Sequence, residues 1–285
     1  MRFDEITARF ALDENEREEL CEYFKNRFEN ASGPQQENAG HLKAFKSMAA
    51  MSKLAGAAEV INKKLCPAHP VSYNDPDGVR LEIFDSFAGE IPVIYADDAA
   101  DFEALVTNIV HKGIRPGNIS KTGACFVSGG TVRFLILSAK PYSNVPAGEL
   151  GLDESDWQQK SMAVRLSHEC THYFTKQQYG ISNNILHDEL MADFIGLYDA
   201  FGFYKAEWFL RFMGIIPGSG SRFGVYTEGL SPKVKQAAAE VISAAAQSLE
   251  RWTQTEDFKA LSGAGRITKM CMIGIEGILD NDFFK

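Results

Sequence analysis

The chain has 285 residues, is 45% hydrophobic and 24% charged, and carries a net charge of −9, enough for one large core or two modest ones. No run of Lys and Arg interrupts the acidic balance, which argues against nucleic acid or an anionic membrane surface as the main partner. The opening Met1-Arg2-Phe3-Asp4-Glu5 has no apolar signal region, and the most apolar stretch, 190–217, is broken by Asp193, Asp199, Lys205, Glu207 and Arg211, so a cytoplasmic protein without a membrane span is expected.

Residues 4–29 and 36–65 carry apolar positions at helical spacing, separated by the turn chemistry of Ala31-Ser32-Gly33-Pro34. From about residue 69 the texture changes to short runs rich in β-branched and aromatic residues, Val79–Phe84, Ile91–Tyr95 and Thr131–Leu137, bounded by Asp-Gly, Gly-Glu and Gly-Gly, which predicts strands. Ala99–Lys112 between them reads as helix. Gly129-Gly130 is a turn and not a phosphate loop, because no G-K-[ST] follows. Ser155-Asp156-Trp157-Gln158 reads as a capping box opening a helix over 156–176. A second helix is predicted over 184–203, after Gly180 and Asn183-Asn184, and further helices over Pro232–Trp252 and the tail. The pattern implies an α+β fold with a small mixed sheet, an N-terminal helical section 1–65, a core 66–215 and a C-terminal helical section 216–285, all compatible with one compact domain. Cys21, Cys66, Cys125, Cys170 and Cys271 are odd in number, scattered and never C-x-x-C, so reduced thiols are expected and neither a disulfide framework nor a thiolate metal site.

The chemistry-bearing motif is His168-Glu169-Cys170-Thr171-His172, an H-E-x-x-H sequence inside the predicted helix. At about 100° per residue, histidines four apart project within roughly 40° of one another, so both imidazoles can ligate one ion. Glu169 falls beside the metal rather than on it, where a carboxylate can take a proton from water. Met162, Leu166, Cys170 and Tyr173 form an apolar stripe opposite the histidines, while Ser161 and Arg165 on the histidine side suit a helix bordering a cleft. A chance match in a chain of this composition is on the order of 1%, so the third ligand that a catalytic zinc needs becomes decisive.

Downstream lies Glu189-Leu190-Met191-Ala192-Asp193-Phe194-Ile195-Gly196. Glu189 and Asp193 share a helix face that small Ala192 and Gly196 flank, so a carboxylate ligand can approach the histidines and Asp193 can accept the second N–H of a ligating imidazole. Together, H-E-x-x-H and E-x-x-A-D-x-x-G resemble the gluzincin zinc metallopeptidases, especially the families that include the CAAX prenyl endopeptidases and their soluble relatives. The resemblance covers roughly residues 160–200. It implies a zincin-like core, one zinc per chain held by His168, His172 and Glu189, Glu169 as general base, Asp193 behind a ligand, and a peptide or protein substrate.

His187 and Asp188 compete with Glu189 as third ligand, although on a continuous helix they point about 160° and 100° away from it. His187 would reach substrate if the helix began at Asp188. The oxyanion of a tetrahedral intermediate needs a Tyr, His or Arg, and Tyr173, Tyr179, His187, Arg222 and Tyr226 all qualify by type. Thr131–Leu137 reads either as an edge strand to which a peptide could add or as an internal strand with both faces covered. His41, His69 and His111 lie outside any ligand spacing. The function expected is therefore hydrolysis, most specifically of a peptide bond. The rivals are a zinc-binding, peptidase-like protein that acts on another amide or ester or does not turn over, and a helical interaction protein in which H-E-x-x-H is accidental.

Overall fold

The computed structural model describes residues 3–31, 33, 39–129, 132–183 and 185–280. Helices α1 (Phe3–Arg9), α2 (Glu14–Phe24), α3 (Ala39–Ala55) and α4 (Ala57–Lys64) precede strands β1 (Val79–Ser86) and β2 (Gly89–Ala96), helix α5 (Ala99–Leu105), and strands β3 (Ala124–Gly129) and β4 (Val132–Ser138). Helices α6 (Ala147–Leu150), α7 (Glu154–Tyr179), α8 (Leu186–Phe201), α9 (Ala206–Met213), α10 (Phe223–Tyr226), α11 (Pro232–Trp252), α12 (Glu256–Ala260) and α13 (Gly263–Leu279) follow. The fold is α+β with one small mixed sheet of four strands. Its contacts group into two units, 36–169 and 1–35 with 170–285. This division cuts across the sections 1–65, 66–215 and 216–285, because α1 and α2 pack on α11 near the other end of the chain. It falls inside α7, which contributes to both.

In the unit 36–169 the strand order is β1-β2-β4-β3, with β1 and β2 antiparallel, β2 and β4 parallel, and β3 antiparallel to β4. Alternation along the strands sends Val79, Leu81, Ile94, Ala96, Phe134 and Ile136 into a core with Phe45, Met48, Val60, Ile61, Phe102 and Leu105. On the other face Ile91, Val93, Leu135 and Leu137 are also buried. Burial on both faces explains why β2 and β4 read as continuous apolar runs. It also decides the choice left open for 131–137: β4 is internal, and β1 and β3 are the edges. β3 escapes a sequence reading because Ala124-Cys125-Phe126-Val127-Ser128-Gly129 is short and mixes small residues with only one β-branched side chain. Gly130 and Thr131 of the predicted turn and strand, with Ser32, Pro34 and Asn184 of the predicted breaks, lie outside the described residues.

Two helix ends differ from expectation. α5 stops at Leu105 and continues as a π turn over Val106–Val110 rather than as α-helix to Lys112. α7 begins at Glu154, so Ser155 sits inside the first turn and is not the cap, and the first helical bond runs from Trp157 N–H to the Asp153 carbonyl at 2.9 Å.

In the unit of 1–35 and 170–285, α8 is buried from Leu186 to Leu197, the pattern of a helix enclosed on all sides. Phe194 stacks on Trp252 with ring centroids 5.8 Å apart, and Tyr204 and Phe258 meet the same ring edge-on. α11 adds Ala237, Ala238, Val241, Ile242, Ala245 and Leu249. Tyr23 of α2 accepts the Leu186 N–H at the start of α8 and donates to the Tyr226 carbonyl at 2.9 Å. No helix among the described residues is long and apolar enough to cross a membrane. None of the five cysteines is joined in a disulfide among the described residues.

Candidate metal centre

Ser161, Arg165 and His168 recur at i, i+4 and i+7 along α7 and therefore lie on one stripe. All three are buried, so Ser161 and Arg165 do not border an open cleft as their polarity suggested. They hold the chain that leaves β4. Ser161 Oγ accepts the Tyr142 N–H at 3.0 Å, and Arg165 donates to the carbonyls of Ser138 and Lys140. A Cβ on Gly123 would come within 2.6 Å of Arg165 Nη2, so glycine makes the room for this guanidinium. Tyr142 opens a short 3-10 turn in which Ser143 and Asn144 have φ of 56° and 58°, left-handed conformations that cost of order 1 kcal/mol or more each. The Tyr142 hydroxyl is hydrogen-bonded to His168 Nδ1 at 2.8 Å.

On the neighbouring stripe Met162, Leu166 and Glu169 are half-buried, which leaves the Glu169 carboxylate in reach of solvent. Of the apolar stripe expected to pack, Cys170 and Tyr173 are fully buried and Met162 and Leu166 only partly. The Cys125 thiol on β3 is pushed up to about 11, first by burial and then by the negative charge of Glu169. The edge strand is therefore near enough to feel the carboxylate.

Glu189 and Asp193 are almost fully buried on α8. Glu189 Oε1 lies 3.4 Å from His172 Nε2, and its other oxygen accepts from Arg222 Nη2. Arg222 Nη1 donates to both oxygens of Asp193 at 3.2 and 2.9 Å. The hydrogen bonds described for Asp193 are thus from a guanidinium, where one from a histidine was expected. Tyr226 completes the group, with the Arg222 guanidinium 5.6 Å from its ring centre; burial, the largest cause, raises its phenol above the ordinary value, with Arg222 opposing.

The side chains of His168, His172 and Glu189 offer ligand atoms that all lie within 4.8 Å of one another. Two ligands about 2.0–2.1 Å from one ion in tetrahedral array are roughly 3.4 Å apart, the separation found for His172 and Glu189. The three side chains could therefore hold a metal ion.

The competing residues are placed elsewhere. α8 begins at Leu186, so His187 is in the helix and not in a loop; its ring meets Phe28 with centroids 5.9 Å apart, and burial lowers its pKa. Asp188 accepts the Asn183 N–H. Tyr179 packs on Phe28 with centroids 5.3 Å apart, and Tyr173 is buried. His41 bonds to the backbone of Arg133. Tyr142 was missed because it lies 26 residues before His168, in a stretch that reads only as loop.

Fold and site together define an α+β protein with a buried His-His-Glu group able to hold a metal. The chain belongs to a family of unknown function, DUF7005, whose model matches residues 63–131 and 131–280. No curated protein and no solved structure matches it significantly.

Proposed function

We propose that this protein is a zinc-dependent hydrolase of the gluzincin type, built on a zincin-like core, that cleaves peptide bonds. The observation that carries the reading is the meeting of His168, His172 and Glu189 within 4.8 Å, next to a partly buried Glu169. Two neutral imidazoles and a carboxylate are a donor set zinc favours. Arg222 bonds to both Glu189 and Asp193, which fixes the Glu189 carboxylate beside His172.

When bound, the ion supplies Lewis acidity, lowering the pKa of water to about 7 and polarising a carbonyl. Glu169 takes the proton from the attacking water and passes it to the leaving amine. Tyr226, beside Glu189 and Arg222, carries the hydroxyl best suited to meet the developing oxyanion. β3 is an edge of the sheet and close enough to Glu169 for its charge to reach Cys125, so an extended peptide can pair with it through backbone hydrogen bonds.

Metal analysis of the purified protein should find about one zinc per chain, lost in His172→Ala. A peptide-library screen should then find cleavage by wild type that falls at least 10²-fold in Glu169→Gln, which keeps the metal but lacks the base. Protein without metal at neutral pH refutes the reading, and undiminished turnover by Glu169→Gln refutes the mechanism.

A further inference from the structure

We infer that Tyr142 is a positioning residue that holds His168 in the ring tautomer able to present Nε2 to a metal; the inference rests on the reading of His168 as a ligand. A neutral imidazole ligating through Nε2 carries its proton on Nδ1. The group 2.8 Å from His168 Nδ1 is the Tyr142 hydroxyl, whose oxygen accepts that N–H. With the proton on Nε2 instead, the tyrosine would have to donate to Nδ1, and no lone pair would remain for the ion. Both side chains are about 95% buried, with exposures of 6% for His168 and 5% for Tyr142, so water competes weakly for Nδ1.

Tyr142 is itself held from several directions, beyond what packing an aromatic ring requires. Its N–H donates to Ser161, and Arg165 grips the preceding carbonyls of Ser138 and Lys140 with its guanidinium 5.5 Å from the ring centre. Gly123 leaves space for that guanidinium, and the left-handed Ser143 and Asn144 turn the chain away directly afterwards. Ser161, Arg165 and His168 share one stripe of α7. The helix that carries the ligand therefore also holds the residue that orients it.

Tyr142→Phe keeps the ring and removes the acceptor. Zinc titration against a chromogenic chelator should show a 10- to 100-fold loss of affinity, the size of effect seen when an outer partner of a ligating histidine is removed. Arg165→Lys, which keeps the charge but not the fork, should give a smaller loss. Nitrogen-15 NMR of the metal-free protein should find His168 protonated on Nδ1 in wild type and shifted toward Nε2 in Tyr142→Phe, a change that altered packing alone would not produce. A wild-type His168 protonated on Nε2, or a Tyr142→Phe protein with wild-type zinc affinity and tautomer, overturns this inference while leaving the metal site in place. A wild type that takes up no zinc overturns both.

Discussion

Glu189 and His187 are two residues apart, yet the first meets His172 and the second is sealed under Phe28. Helical geometry predicts that divergence, since residues two apart point about 160° from each other. Glu189→Ala should weaken zinc binding by at least 10²-fold in equilibrium dialysis, while His187→Ala should leave the stoichiometry unchanged; the reverse pattern would reassign the third ligand. Cys125 tests the placement of Glu169. Because burial and the Glu169 charge both disfavour the thiolate, alkylation of Cys125 should remain slow until the pH approaches about 11. Glu169→Gln removes one of the two causes, so the thiol pKa should fall part of the way and labelling at pH 9 should be faster than in wild type, as mass spectrometry of the Cys125 peptide would read. Identical rates would place Glu169 away from β3.

Among the elements, α8 shows how packing positions chemistry. Its Phe194 side contributes to the cluster with Tyr204, Trp252 and Phe258, while Glu189 and Asp193, at i and i+4, receive Arg222. Phe194→Ala should cost about 3–5 kcal/mol in denaturant unfolding, and a loss below about 1 kcal/mol would mean that this cluster does not anchor the helix. The helices were legible where periodicity and punctuation agree, as in α11, which runs over Pro232–Trp252 as predicted, with proline at its start. α7 reveals the limit: Ser155 looks like a cap, but the helix starts before it. β3 was not legible, since a short strand that mixes small residues with a single Phe-Val pair is defined by its pairing with β4 and not by its own pattern.

For the molecule as a whole, a ligand that binds only the folded state adds RT ln(1 + [L]/Kd) to its stability, about 2.7 kcal/mol at a hundredfold excess over Kd. Saturating zinc should therefore raise the melting temperature of the metal-free protein by several degrees, at roughly 2–4 °C per kcal/mol for a chain of this size class. His172→Ala should show no such rise in calorimetry. Equal shifts in both proteins would locate the ion somewhere other than at His172.

The amino-acid sequence by itself determined the arrangement of side chains that depends on local spacing. His168, Glu169 and His172 acquire their mutual orientation from a single helix, and Glu189 and Asp193 from another, because 3.6 residues per turn leave little freedom within such segments. Only the tertiary structure decided what surrounds them. Tyr142 at Nδ1 of His168, Arg222 bridging Glu189 and Asp193, and β4 inside the sheet with β3 at its edge depend on contacts between residues far apart in the chain. Such contacts are set by how buried faces pack and how buried polar groups find partners, and no periodicity within a short window records them.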